Sequence, residues 1–365
     1  MSANGRPWHW LKASMEAPDA FIMDPHGDLR LRITAGSSNG DEKDHDQETT
    51  SENEINTDDS IEEDHQFLVC SRTLARSSSV FDKMLFGPFA EGQCGSDRTI
   101  DLDDAIEPMF YVLSIMHCQW ARVPRRPTFE ELFDLLVFTN KYDMTGILRP
   151  WVNRWMPPFE RIAGYSDMSK MAWIAWEIGA EKIFARAINK AVLQSRVNEE
   201  GEVLNADGEL MKTNVHADLA GIIDLIARGR KDIVSRVLEP LQQYAKDILE
   251  MGACSVITGD PEEADKCDTT MMGSMVIGLS TAGIGAGPLV SGRDLVYLGN
   301  ARELLNALGE MYNPTYSFHP CDPIGDARAL AYNIVNVDLM PSPVTKNQRE
   351  RLEKRARISG WTRED

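Results

Sequence analysis

Phe67-Leu68-Val69-Cys70-Ser71-Arg72-Thr73-Leu74-Ala75-Arg76-Ser77-Ser78-Ser79-Val80-Phe81 is the stretch on which the fold of this chain turns. Its first four residues form a short apolar run of the kind a buried strand needs. The spacing then changes. Leu74, Val80, Phe81, Met84 and Leu85 fit one or two short helices broken around Ser77-Ser78-Ser79, where serines favour helix starts over helix interiors. A strand that passes directly into small helices is therefore expected here.

Working outward, Asp28-Leu29-Arg30-Leu31-Arg32-Ile33 alternates apolar and polar residues as a half-buried strand does, and Arg98-Thr99-Ile100-Asp101-Leu102 suggests a third strand. Two helix starts are marked by a short polar residue with Glu three positions on, Asp104 with Glu107 and Thr128 with Glu131. Ile106, Met109, Phe110 and Leu113 form an apolar face behind the first, and Leu132, Leu135, Leu136 and Thr139 behind the second. Ile147, Leu148, Trp151, Val152 and Trp155 continue a further helix that Pro150 should kink. This order predicts an α+β domain with helices on a small sheet.

With 365 residues and 42% apolar content the chain has material for about two cored domains. Six cysteines, none in a C-x-x-C pair, and the lack of an apolar leader after Met1 imply a reducing intracellular setting, cytoplasm or nucleus. A net charge of -19 argues against generic affinity for nucleic acid or anionic membranes. Most of that charge is local: Gly36 to Gln66 holds twelve Asp and Glu against one Lys. Ile55 and Ile61 are its only strongly apolar residues, so the stretch at 36–66 is expected to be a disordered acidic insertion in the domain. It reads as a solvated loop or as a docking strip for a basic partner.

After Pro157-Pro158 the pattern turns helical, and residues 157–340 are expected to form a mainly α-helical C-terminal domain. Met171, Ile174, Ala175 and Ile178 lie on one stripe, and Ile183, Ala187 and Ala191 on another. Ile222, Ile223 and Ile226 mark a third helix, and Ile233, Val237, Leu241, Tyr244 and Ile248 a fourth interrupted by Pro240. No charge occurs between Thr269 and Arg293, but its glycines and Pro288 favour a buried helix ending near Gly283 over a membrane span. The basic tail, 341–365, reads as a solvated helix or a nuclear address.

The opening stretch resembles the central signature of BTB/POZ domains, a strand ending in His, a helix carrying Leu-Ala, then Ser and an aromatic before a second helix. Asp28-Leu29-Arg30-Leu31 resembles the family's Asp-leading first strand, Phe89-Ala90-Glu91 the motif before its third strand, and Asn140-Lys141-Tyr142-Asp143-Met144 its Lys-Tyr helix end. Tyr142 to Trp151, Ile174-Ala175-Trp176-Glu177, Gly273-Ser274-Met275 and His319-Pro320-Cys321 are similar to a filamentous-fungal BTB group with a helical C-terminal region. The resemblance gives the α+β domain the bounds 20–156, after an N-terminal extension at 1–19, and implies a small mixed sheet flanked by helices. It implies a non-catalytic adaptor that binds protein partners or itself as a homodimer. It also raises a substrate adaptor of a cullin-type ubiquitin ligase. That second role commonly uses an apolar-x-Glu motif, whereas His117 to Pro127 contains no Glu. Cys70 stands where most members carry His. Interaction or core candidates are Asp28, Leu29, Leu31, Leu74, Phe81, Met84, Leu85, Trp151 and Trp155.

No enzyme constellation emerges from the spacing, so neither a catalytic residue nor a cofactor is expected. In Gly283-Ile284-Gly285-Ala286-Gly287-Pro288 a proline replaces the third glycine of a dinucleotide fingerprint, and Gly278 to Gly283 is one residue too long for a nucleophile elbow. Trp151, Trp155, Trp173 and Trp176 repeat at helical spacing, which suits buried packing or an aromatic groove. Cys254, Cys267, His319 and Cys321 offer a zinc ligand set by type, but their gaps match no standard zinc module, and cysteine is commonly a small buried apolar residue. Purified protein is accordingly expected to carry no stoichiometric zinc; zinc that is bound by the wild type and lost in Cys321→Ser would overturn this.

Overall fold

The computed structural model describes residues 20–33, 65–88, 98–156, 168–211, 221–254, 261–281, 283–284, 297–310, 325, 329 and 340–362. The chain is α+β and divides into two compact units, Met1–Trp155 and Met156–Asp365.

The N-terminal unit is built on a four-stranded sheet in the order β1-β3-β2-β4. Its strands are β1 (Phe21–Ile22), β2 (Leu29–Ile33), β3 (His65–Val69) and β4 (Arg98–Leu102). β2 runs antiparallel to β3, from Leu29 opposite Val69 to Ile33 opposite His65, and parallel to β4. Alternation sets the faces: Leu29, Leu31 and Ile33 are buried, while Arg32 points outward and grips its cross-strand partner Asp101 through two bonds of 2.6 and 2.8 Å. The expected acidic insertion at 36–66 is too long at its end. His65 and Gln66 belong to β3, because the ladder with Ile33 and Arg32 pairs their backbone. Residues 34–64 lie outside the described residues, as do residues 1–19 and Phe89-Ala90-Glu91.

Two short helices follow, α1 (Ser71–Ser77) and α2 (Ser79–Phe86), broken at an extended Ser78. The Ser78 hydroxyl accepts the Phe81 N–H at 3.0 Å, capping α2, and donates to the Tyr142 carbonyl at 2.5 Å. α3 (Ile106–Met116) and α4 (Phe129–Lys141) complete the helical layer. The Thr128–Glu131 capping box forms, with bonds of 3.2 and 2.6 Å. The Asp104–Glu107 box does not. Asp104 instead accepts Lys141 Nζ at 2.7 Å and the Tyr142 hydroxyl at 2.5 Å, and α3 starts behind Ala105 with no side-chain cap. Pro150 divides the last predicted helix into a 3₁₀ turn (Thr145–Leu148) and a helical stretch at 152–156.

The C-terminal unit contains α5 (Met168–Ile178), α6 (Glu181–Gln194), α7 (Ile222–Met251), α8 (Pro261–Thr281), α9 (Ala301–Glu310) and α10 (Lys346–Ser359). A small antiparallel hairpin, β5 (Arg196–Val197) with β6 (Val203–Leu204), interrupts the helices. Helical periodicity did not announce it. Its signal is the duplicated turn Asn198-Glu199-Glu200-Gly201-Glu202 and Asn205-Ala206-Asp207-Gly208-Glu209, in which each Asn side chain accepts the Glu backbone N–H and the Gly has a left-handed φ. No helix among the described residues is long and apolar enough to cross a membrane. α8 covers the uncharged segment up to Thr281.

The third and fourth helices read from the sequence are one continuous α7, which passes through Pro240. The polar stretch 227–232 separates the two apolar stripes in the sequence, and Arg230 within it is buried. Its Nε donates to the Ser195 carbonyl at 3.3 Å, and Nη2 to the Tyr297 and Gly299 carbonyls at 2.5 and 2.6 Å. α10 packs on α5, where the Glu177 carboxylate, only 3% exposed, pairs with Arg355. At the crossing Gly179 has φ +86°, and an added Cβ would lie 2.2 Å from the Ala356 nitrogen. The basic tail is therefore a docked helix over 346–359.

Arg230→Ala would leave three carbonyls without their donor, at about 1 kcal/mol each. Thermal unfolding should show a loss on the order of 3 kcal/mol, with Arg230→Lys recovering part of it. An unchanged melting temperature would contradict the role given to Arg230.

Candidate interaction surface

The N-terminal unit places most of the residues predicted for contact or core inside. Leu29, Leu31, Leu74, Phe81, Leu85 and Trp155 are buried, Met84 and Trp151 are half-buried, and Asp28 is exposed. Asp28 ties strand to helix: its carboxylate accepts the Ser71 N–H at 2.7 Å and the Ser71 hydroxyl at 2.6 Å. Burial pushes that carboxyl up, but the bonds from Ser71 outweigh burial and hold it below the usual carboxylate value. It serves as a remote cap on the first turn of α1, whose own Cys70 supplies no capping bond.

Of the three large apolar side chains exposed among the described residues of this unit, Phe86 ends α2 beside Arg98, and the other two, Trp120 and Ile22, lie at the turn after α3 and at the sheet edge to which that turn is bonded. Trp120 is 53% exposed and Ile22, on the edge strand β1, is 56% exposed. The turn between them is held at several points. Cys118 takes a left-handed φ of 59°, ending α3, and Gln119 N–H reaches back to the Ser114 carbonyl at 2.8 Å. The Gln119 side chain donates to the Met23 carbonyl at 2.8 Å, so the loop is stitched to the sheet edge. His117 adds a second tether: Nδ1 donates to the Leu113 carbonyl at 2.9 Å, leaving Nε2 to accept the Cys70 N–H at 3.1 Å. The Arg122 guanidinium lies 5.6 Å from the Phe110 ring centroid.

Trp120 also begins an aromatic series. Its ring centroid is 5.6 Å from Trp151, which is 5.9 Å from Trp155. Exposure falls along the series, from Trp120 through half-buried Trp151 to buried Trp155. Trp173 and Trp176, grouped with the latter two by spacing, are buried on α5 of the other unit. Neither Trp120 nor Ile22 stands in an apolar repeat, so periodicity alone does not pick them out.

Two chemical candidates remain. Cys254 and Cys267 are half-buried, whereas His319 and Cys321 lie outside the described residues; no group of three metal-ligating side chains occurs among the described residues. The second is a polar stripe on α3, Glu107, Tyr111 and Ser114, spaced to share one face. Glu107 Oε1, the Tyr111 hydroxyl and the Ser114 hydroxyl are all buried with no hydrogen-bond partner among the described residues. Burial, with Glu131 and Asp134 nearby, raises the Glu107 carboxyl to about 7. A near-neutral buried carboxyl is a feature active sites share, but these three groups make no mutual hydrogen bond of the kind nucleophile activation uses.

No family model matches the chain, and comparison with curated proteins and with solved structures finds no similar protein.

The raised Glu107 value fixes a sign. Between about 4.5 and 7 the folded state keeps a proton that the unfolded state releases, so its contribution to stability declines as pH rises through that window. Glu107→Gln should flatten this decline and stabilise the protein at pH 8 by on the order of 2 kcal/mol, with no gain at pH 4. Melting curves across that range test it, and parallel wild-type and variant profiles would show the carboxyl to be ordinary.

Proposed function

We propose that this chain is a non-catalytic, intracellular protein-interaction protein whose N-terminal unit is a BTB/POZ-like module that binds other polypeptides, a second copy of itself included. What supports the family part of the reading is order: β2, β3, α1, α2, β4, α3 and α4 follow one another as the resemblance implies, with the helix break at Ser78 and the Lys141-Tyr142 pair at the end of α4. The interaction part rests on one observation. A large aromatic side chain, Trp120, stands more than half exposed beside an exposed Ile22 on a turn fixed by hydrogen bonds to α3 and to the sheet edge. Exposed aromatic and aliphatic side chains on rigid supports are the residue types that anchor protein interfaces.

Proximity labelling from the full chain in its native host tests the proposal. The wild type should label a reproducible set of neighbours that Ile22→Ser/Trp120→Ala loses, with circular dichroism and melting temperature unchanged. Identical neighbour sets from wild type and variant would remove the surface from the reading.

A further inference from the structure

We infer that the ridge formed by residues 117–126 docks an acidic segment of a partner protein that carries a large apolar residue, with Trp120 as anchor and Arg122, Arg125 and Arg126 as its charged rim. The inference rests on the interaction reading above and specifies the partner's chemistry.

Charge distribution is the first argument. The chain carries -19 overall, yet no Asp or Glu occurs from Pro108 to Phe129, a span that holds His117 and all three arginines. The rest of the described N-terminal unit does not overwhelm that local field, since outside the ridge its described residues hold nine Lys and Arg against eleven Asp and Glu. Arg125 and Arg126 are exposed and Arg122 is half-buried, and no carboxylate among the described residues pairs with any of them. Two other arginines of this unit are used internally, Arg32 by Asp101 and Arg98 by the Leu85 carbonyl at 2.8 Å. Arg125 and Arg126 keep their planar donor forks available, while Arg122 lies over Phe110 with Nη1 against Met23 Sδ at 3.8 Å; a carboxylate is the group such a fork matches through two parallel bonds.

Rigidity is the second argument. Arg125 and Arg126 stand between Pro124 and Pro127, both buried, whose rings fix the backbone on either side. Trp120 sits in a 3₁₀ turn, Trp120–Arg122, closed by Arg122 N–H to Gln119 carbonyl at 2.9 Å and Val123 N–H to Trp120 carbonyl at 3.2 Å. A partner segment meeting this ridge would order little of it on binding, which favours affinity from few contacts.

The same observations weigh against nucleic acid as the occupant. Affinity for a phosphate backbone grows with the number of phosphates neutralised, and one tryptophan with three arginines within residues 120–126 offers few. A short acidic peptide needs only two or three carboxylates beside one apolar side chain.

The test uses the full chain and a fluorescein-labelled peptide of alternating Asp and Glu around a central leucine pair, read by fluorescence anisotropy at low and physiological salt. Binding should weaken with salt, fall about thirtyfold in Trp120→Ala, and fall about tenfold in Arg125→Glu/Arg126→Glu, with melting temperatures unchanged. Peptides with Gln for every acid, or Ser for both leucines, should bind as weakly as the variants. Equal binding of these control peptides, no binding by the wild type, or tighter binding of a single-stranded oligonucleotide of equal charge would overturn the inference. Loss of peptide binding with a Trp120-dependent neighbour set intact overturns only the acidic partner; an insensitive neighbour set overturns the interaction surface itself.

Discussion

The N-terminal unit depends on Tyr142. Its ring stacks on Phe81 at 4.5 Å, its hydroxyl donates to Asp104 at 2.5 Å, and its backbone carbonyl accepts the Ser78 hydroxyl at 2.5 Å. One residue at the end of α4 therefore fixes the break between α1 and α2 and the connection from β4 to α3. Burial first, and then donation to Asp104, holds the phenol well above its ordinary value, so the proton stays on the tyrosine. Neighbouring residues reinforce the knot: Lys141 pairs with Asp104, and the Ser79 hydroxyl donates to Asp143 at 2.5 Å. Asp143 accepts a left-handed φ of 52° to make that contact, a strain that its surroundings must hold in place.

That knot explains how the turn after α3 can carry exposed apolar surface and still be ordered. α3 is held at its start by the Asp104 connection and at its end by His117, whose ring reaches the Cys70 backbone where β3 becomes α1. A helix fixed at both ends projects the turn beyond it in one direction. The side chains on that turn then present a surface without first having to be ordered, and the entropy that a flexible loop would lose on binding is small.

Much of this was legible in the sequence because the local signals agree with one another. β2 alternates over five residues, the Thr128–Glu131 box is local, and the serine break is a matter of neighbouring hydrogen bonds. Two of the misreadings share a physical origin, which is that polar residues can be committed to distant partners. Asp104 looks like a cap three residues from Glu107, but it serves Lys141 and Tyr142 from α4. The charged stretch between the Ile226 and Ile233 stripes reads as a gap between two helices, but Arg230 within it is buried against carbonyls contributed by residues 195, 297 and 299. Tertiary contacts overrode local preference in both cases. Trp120 was hidden for a related reason: exposure is a property of the folded unit, and a single tryptophan in a turn has no period to betray which way it faces.

Charge is used in opposite ways at different depths of the chain. Buried charges are consumed by structure: Glu177 is matched by Arg355, and Arg230 by three carbonyls. Removing the partner of any such group exposes a desolvation cost that the native contacts were offsetting. Ridge arginines stand under the opposite condition. Arg125 and Arg126 are exposed, lack carboxylate partners among the described residues, and can exchange water for a ligand at little loss. An exposed arginine pair contributes modestly to stability and can contribute to specificity, since it favours acidic segments and repels basic ones before apolar contact is made. Trp120 supplies what those charges cannot, a large apolar area that leaves water only when a complementary side chain covers it. The division of labour follows: the arginines select and orient an approaching segment, and the tryptophan sets how long it stays.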